Sequence, residues 1–210
     1  MRTTKMTPEY WNQAKRALAR RDPVMKEIMR RYPGIALASR GDPFTTLARS
    51  IVGQQISVKA AQTVWERVMA AVPELTPSAV TRHGARRLAR CGLSRRKADY
   101  FIDLARHFSK GTLRMDNWHE MDDEAVIEDL TQVHGIGRWT SEMFLMFNLL
   151  RADVLPLDDI GLQRATSLHY FDGERVSASK IRELAESWRP WRSVATWYLW
   201  RTLDPIPVVY

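Results

Sequence analysis

Helix-start signals recur along the whole chain, whereas convincing runs of alternating apolar and polar residues between turn signals do not. Asp22-Pro23 and Asp42-Pro43 each place a capping side chain before a proline, which suits the first turn of a helix. Ser57 precedes apolar residues at helical spacing, which we expect to lie in the core: Ala60, Ala61, Val64, Trp65 and Val68. The sequence therefore predicts an all-α fold.

The remaining helices follow from the same signals. Thr7, with Pro8 after it, is the expected N-cap of a first helix that ends near Arg20, and Pro33-Gly34 stops the second. Further helices are predicted over about 94–108, 122–133, 138–149, 159–170, 177–188 and 190–202.

Composition narrows the class of protein. Among 210 residues, Lys and Arg number 32 and Asp and Glu 24, a net charge of +8 that is common in proteins with polyanionic partners. The single cysteine, Cys91, excludes a disulfide framework, a cysteine-rich zinc site and a four-cysteine iron–sulfur cluster. The most apolar stretch, 143–150, falls far short of the roughly 20 residues that span a bilayer. We expect a cytoplasmic protein with no secretory signal, no membrane segment and no metal site.

Charge is segregated along the chain. Residues 82–97 include seven basic side chains and no acidic one, and residues 116–129 include seven acidic ones. Either run is compatible with a solvated face, the interpretation that we favour for the acidic run. Gly92 and Ser94 in the basic run predict a turn whose backbone amides are able to meet a phosphate.

Two local patterns carry chemistry. Gly135 and Gly137 predict a tight hairpin between two helices, which exposes backbone amides and a helix N-terminus to a phosphodiester, although a plain turn is the alternative. Asp158 and Asp159 begin the next helix. One of them is expected to cap that helix, and the other is then free to stabilise positive charge or to take a proton from water.

Four segments together resemble the helix-hairpin-helix (HhH-GPD) DNA glycosylases, and among them the bacterial 3-methyladenine DNA glycosylase II branch. The segments are VHGIGRWTSEM from Val133, LPLDDIGLQRA from Leu155, RSIVGQQIS from Arg49, and RPWRS from Arg189 with its continuation to Trp200. The resemblance covers nearly all of the chain from about Asp42. It implies a two-lobed helical fold with a cleft, one lobe at about 37–150 and the other at about 1–36 plus 151–210.

The resemblance also implies the reaction. Asp159 corresponds to the family's catalytic aspartate, which stabilises an oxocarbenium-like sugar and assists water after the damaged base has been flipped out. Trp139 stands where bifunctional relatives have a lysine, so a monofunctional hydrolase is expected. Trp139, Trp200 and Met143 correspond to residues of the base pocket, where aromatic faces suit a cationic alkylated purine.

The resemblance implies that the hairpin and the segment after Arg49 contact duplex DNA containing damaged bases. In relatives, the carbonyls of the hairpin hold a monovalent cation. Gln55 occupies the position of the side chain that plugs the gap left by the flipped base, an apolar wedge in the related bacterial enzyme. The expected DNA-binding residues are Gln55, Ser57, His134, Gly135, Gly137 and Thr140. We expect a monomer in the bacterial cytosol or nucleoid. Two alternatives stay open: a glycosylase for uracil or mismatched bases, and a non-catalytic DNA-binding module.

Overall fold

The computed structural model describes residues 7–39 and 41–203, except for the side chain of Val58, and within these ranges it contains helices and no strand. The all-α prediction is confirmed. The α-helices are α1 (Trp11–Arg21), α2 (Pro23–Arg31), α3 (Pro43–Gly53), α4 (Val58–Ala71), α5 (Pro77–His83), α6 (Ala85–Arg90), α7 (Arg95–Lys110), α8 (Asp123–Thr131), α9 (Arg138–Phe147), α10 (Ile160–Tyr170), α11 (Ala178–Ala185) and α12 (Arg192–Leu203), with short 3-10 turns at Met115–Asn117 and Glu186–Trp188.

Three of the predicted caps are confirmed. The side chain of Asp22 accepts from Met25 N over 2.9 Å, that of Asp42 from Thr45 N over 2.9 Å, and that of Ser57 from Ala60 N over 3.3 Å. Each such bond satisfies one backbone amide that the first turn of a helix leaves without a partner.

The expected start at Thr7 is wrong, because α1 begins at Trp11 and is preceded by Tyr10. Tertiary contacts set this boundary. Tyr10 Oη donates to Leu150 O over 2.8 Å, and Trp11 is buried at 3% exposure. Anchoring of both aromatic side chains fixes where the helix starts, and the capping signal at Thr7 is overridden.

The basic run is more helical than expected. Thr76 caps α5 by accepting from Ala79 N over 3.2 Å, and Gly84, at φ 80°, separates α5 from α6. The turn at Gly92, with φ 102°, is present as expected. In α4, Trp65 and Val68 are buried as predicted, but Ala60 is exposed, so the apolar stripe is narrower than its spacing indicates.

The chain divides into two compact units. Among the described residues, the first unit contains those up to Ser39 and those from Leu145, and the second contains Gly41 to Phe144. In the first unit, Asp22 accepts from Tyr170 Oη over 2.7 Å and from Trp188 Nε1 over 2.9 Å.

The second unit buries the carboxylate of Asp129. It is 1% exposed and accepts from Trp118 Nε1 over 2.7 Å and from Arg114 N over 2.9 Å. These bonds offset the cost of desolvating a charged group. Within the described ranges, none of the helices is long and apolar enough to cross a bilayer.

Candidate active site

Asp159 is the N-cap of α10 and is held by two N–H donors. Its Oδ1 accepts from Leu162 N over 2.7 Å and from Trp200 Nε1 over 2.7 Å. Asp159 itself caps the helix, and Asp158 lies one residue earlier with an exposed side chain. The carboxylate that the resemblance assigns to the reaction is therefore not the one left free of capping. The capping bond fixes the orientation of the Asp159 carboxylate.

The approach of Trp200 to Asp159 depends on Gly161. A Cβ atom at residue 161 would lie 3.0 Å from Asp159 Oδ1 and 3.0 Å from Trp200 Cδ1, closer than most packed atoms come. On α12, the Trp200 ring stacks on Phe147 with centroids 6.0 Å apart and planes 15° apart. The indole is thus fixed by stacking as well as by its hydrogen bond.

The segment that leads to Asp159 is anchored to the start of α12. Ser193 Oγ donates to Arg151 O over 2.7 Å and accepts from Val154 N over 2.9 Å. Arg192 contacts both carboxylate oxygens of Asp153, at 2.8 and 2.9 Å. Such paired bonds between a guanidinium and a carboxylate fix geometry as well as charge. These contacts fix the position of the loop that ends at Asp159.

This arrangement suits the stabilisation of positive charge. An aspartate carboxylate is negative at neutral pH, and a fixed negative charge lowers the energy of a cationic transition state. The same group is able to accept a proton from a nearby water.

The predicted hairpin joins α8 to α9 in the second unit. Gly135 has φ 84°, and a Cβ there would lie 2.1 Å from Tyr100 Cδ2, so only glycine fits. Gly137 differs: its φ is outside the left-handed region, and a Cβ there would meet nothing within 4 Å. The first glycine is required by the fold, and the second leaves open space before α9.

The hairpin presents a helix N-terminus on its exposed side. Gly137 O accepts from Ser141 N over 3.0 Å, which marks the first turn of α9. Arg138 donates to both carboxylate oxygens of Glu124, over 3.0 Å to Oε1, and these hydrogen bonds lower the pKa of Glu124. His134 is exposed and its backbone amide donates to Asp103 Oδ2 over 2.9 Å, whereas Thr140 is buried at 4% exposure.

Gln54 connects the end of α3 to this hairpin. Gln54 Nε2 donates to Gly135 O over 2.8 Å. Gln55 follows with an exposed side chain and φ 56°, a conformation that is uncommon for residues other than glycine. Ser57 is exposed and caps α4.

The other two predicted base-contacting residues lie on α9. Trp139 is half-buried, and Met143 is 6% exposed. Because they are four residues apart on a helix, their side chains share one face. The structure therefore brings Trp200 to Asp159, Trp139 to the same helix face as Met143, and Gln54 to the hairpin.

The hairpin carbonyls are compatible with the expected monovalent cation. Val133 O accepts from Ile136 N over 3.0 Å, and Gly135 O accepts from Gln54. Since a carbonyl oxygen has two lone pairs, each retains the capacity to ligate a cation. A cation held there would offset phosphate charge at the hairpin.

Three residues with a part in this geometry were not singled out by the sequence: Gln54, Tyr100 and Gly161. Gly161 and Gln54 stand inside the motifs, next to residues that were chosen, but no local pattern states what they touch. Their partners come from other elements, and so only the tertiary structure identifies them.

Comparison with known proteins identifies the family of this chain. The model of a family described as HhH-GPD superfamily base excision DNA repair protein matches residues 48–190. A Schizosaccharomyces pombe protein named DNA-3-methyladenine glycosylase 1 is 31% identical over 165 residues, which are 77% of this chain and 72% of that protein. The chain spans 66% and 67% of the length of two Bacillus subtilis relatives.

Solved structures are similar over nearly the whole chain. A Bacillus halodurans DNA-3-methyladenine glycosidase has a TM-score of 0.79 at 34% identity, covering 97% of this chain and 93% of its own. The Schizosaccharomyces pombe 3-methyladenine DNA glycosylase in complex with abasic DNA has a TM-score of 0.81 at 27% identity, covering 94% of this chain and 99% of its own.

Proposed function

Because the chain belongs to the HhH-GPD superfamily of base excision DNA repair proteins, we propose that it is a monofunctional DNA N-glycosylase that removes alkylated purines such as 3-methyladenine from duplex DNA. The observation that carries this proposal is the carboxylate of Asp159, oriented by Leu162 N and by Trp200 Nε1. A protein that only binds DNA gains nothing from a fixed negative charge facing a polyanion.

The proposed reaction is hydrolysis at C1′ of the damaged nucleotide. The base is first flipped out of the stack. As the C1′–N bond breaks, the electron pair leaves with the base and the sugar becomes oxocarbenium-like. Asp159 stabilises that positive charge, and it takes a proton from the water whose oxygen forms the new bond to C1′. The products are the free base and an abasic site.

Alkylated purines suit the aromatic residues assigned to the base. We propose that Trp139, Trp200 and Met143 contact the flipped base. A purine alkylated on a ring nitrogen is electron-poor and cationic, and the face of an indole attracts such a ring. The same positive charge makes the base a good leaving group, so a dedicated general acid is unnecessary.

The hairpin is proposed to hold the DNA backbone. The open space before Gly137 and the helix N-terminus behind it suit a phosphate, which needs no base-specific contact. Gln55, exposed at the end of α3, is proposed to fill the gap that the flipped base leaves. His134, Gly135, Ser57 and Thr140 complete the proposed DNA-binding set, Thr140 as a buried support. We place this activity where the chromosome is, in the cytosol or nucleoid.

Mass spectrometry of the bases released from methylated duplex DNA tests the proposal. Release of 3-methyladenine, with no release of uracil from a matched uracil-containing duplex, is the expected result. Preferential release of uracil or of a mismatched thymine would support the same fold with another substrate. Tight DNA binding without release of any base would identify a binding module.

A further inference from the structure

One face of α7 contacts both of the segments assigned to DNA. Lys97, Tyr100 and Asp103 are spaced by three residues and so lie along one face of the helix. Lys97 contacts the end of α3, the Tyr100 ring lies against Gly135, and Asp103 accepts from His134 N. All of these residues belong to the second unit.

Lys97 closes the C-terminus of α3. Its Nζ donates to Val52 O over 2.8 Å and to Gln54 O over 2.6 Å. The last carbonyls of a helix have no partner within the helix and carry partial negative charge, so an ammonium group there satisfies them and complements the helix dipole. The side chain of Lys97 is partly buried, and this desolvation lowers its pKa.

Gln54 connects Lys97 to the hairpin through two hydrogen bonds. Its backbone carbonyl is held by Lys97, and its side-chain amide donates to Gly135 O over 2.8 Å. The next residue, Gln55, has a φ of 56° and an exposed side chain. A residue other than glycine keeps this disfavoured conformation only where its surroundings impose it.

From these contacts we infer that Lys97 is a positioning residue that acts through Gln54 to hold Gln55 in register with the Gly135 hairpin. The hairpin and Gln55 then contact DNA as one preorganised element, because the same helix fixes both. The inference deepens the proposed function, since it concerns how the damaged duplex is engaged.

A fluorescence measurement that needs no base release tests this role. The probe is a duplex with a tetrahydrofuran abasic analogue opposite 2-aminopurine, whose emission reports a side chain entering the gap. We expect wild-type protein to change the emission, Gln55→Ala to abolish the change, and Lys97→Met to weaken it by about tenfold, the effect of losing a charge-assisted hydrogen bond. Lys97→Arg, which keeps the charge and the donors, should restore part of it.

Lys110→Met is the matched control. It removes the same charge from the exposed last turn of α7 and should leave the emission change intact. The affinity of the two Lys→Met variants for undamaged duplex should agree within about threefold, since each removes one positive charge. Gln54→Met removes the donor to Gly135 O and should weaken the emission change as much as Lys97→Met does. It replaces Lys97→Met in the test if the melting temperature of that variant is too low.

A double-mutant cycle separates positioning from a general structural defect. If Lys97 acts through Gln55, Lys97→Met should add less than about twofold in a Gln55→Ala background, both for the affinity for the abasic-analogue duplex and for single-turnover excision. Multiplicative effects, an unaltered emission change in Lys97→Met, or no change with wild-type protein would each overturn the inference. Because the emission assay does not require excision, a protein that fills the gap but releases no base would contradict only the proposed function.

Discussion

The indole Nε1 of Trp200 donates a hydrogen bond to Oδ1 of Asp159 over 2.7 Å, and the same oxygen accepts from Leu162 N over 2.7 Å. Two donors on one oxygen restrict the rotation of the carboxylate. The helix cap and the indole thus give Asp159 its orientation before any substrate arrives, and this preorganisation is the basis of electrostatic catalysis.

Trp200→Phe should slow catalysis while sparing the fold. The substitution keeps a ring to stack on Phe147 but removes the donor to Asp159. Loss of a hydrogen bond to a charged group corresponds to about tenfold in rate, and the loss should appear in kcat more than in KM. Trp191→Phe is the control, because Trp191 stacks on Tyr10 at 5.7 Å in the same unit. Equal kinetics for the two variants would remove the indole hydrogen bond from the mechanism.

Gly161→Ala should separate activity from stability. The added methyl group would sit 3.0 Å from both Asp159 Oδ1 and Trp200 Cδ1, so one of them must move. Alanine is favoured over glycine in helices by up to about 1 kcal/mol, which opposes any loss of thermal stability. We expect a melting temperature near that of the wild type and single-turnover excision about tenfold slower. Full activity in this variant would show that the close approach of the two side chains is not needed.

The two hairpin glycines should respond differently to the same substitution. Gly135→Ala forces a side chain into a positive φ and onto the Tyr100 ring, and should destabilise the protein by about 2 kcal/mol. Gly137→Ala meets no atom within 4 Å, so its melting temperature should hold.

Binding separates the hairpin variants further. Gly137→Val should lower the affinity for damaged and undamaged duplex alike, by about tenfold, because the side chain stands before the helix N-terminus. A filter-binding or anisotropy titration measures it. A defect confined to damaged DNA would contradict the assignment of the hairpin to phosphates.

The capping hydrogen bonds show how far the sequence predicts this fold. Asp22, Asp42 and Ser57 each bond to an amide three residues later, so the pattern and the interaction lie in the same short segment. The start of α1 was not predicted correctly, because Tyr10 forms a hydrogen bond to Leu150, a partner 140 positions away.

The site divides in the same way. The resemblance implied roles for Asp159 and Trp200 separately, but their contact joins residues 41 positions apart, and Gln54 lies 81 positions from Gly135. Local pattern also treated Gly135 like Gly137, although only Gly135 has a positive φ and a ring against it. Residue types in a motif predict which chemistry is available, and pairings distant in sequence decide which atom is oriented by which partner.

The type of reaction is testable without any variant. The family resemblance implies that Trp139 stands where bifunctional relatives have the lysine that forms a Schiff base, and an indole has no nucleophilic amine. On lesion-containing duplex the protein should leave an intact abasic site, with strand scission only after alkali. Borohydride should trap no covalent complex under conditions that trap a lyase-proficient glycosylase. A trapped complex would show that another amine attacks the sugar.

Asp159→Asn compared with Asp158→Asn is the most direct test of the central claim. Asparagine retains an oxygen to accept from Leu162 N and Trp200 Nε1 and caps helices as well as aspartate, so Asp159→Asn should fold. Single-turnover excision of 3-methyladenine should fall by about 10²- to 10⁴-fold, because the fixed negative charge and the proton acceptor are both lost. Asp158→Asn, at the exposed neighbouring position, should excise at a rate close to wild type. Near-wild-type excision by a folded Asp159→Asn protein, or inactivity of Asp158→Asn alone, would contradict the assignment.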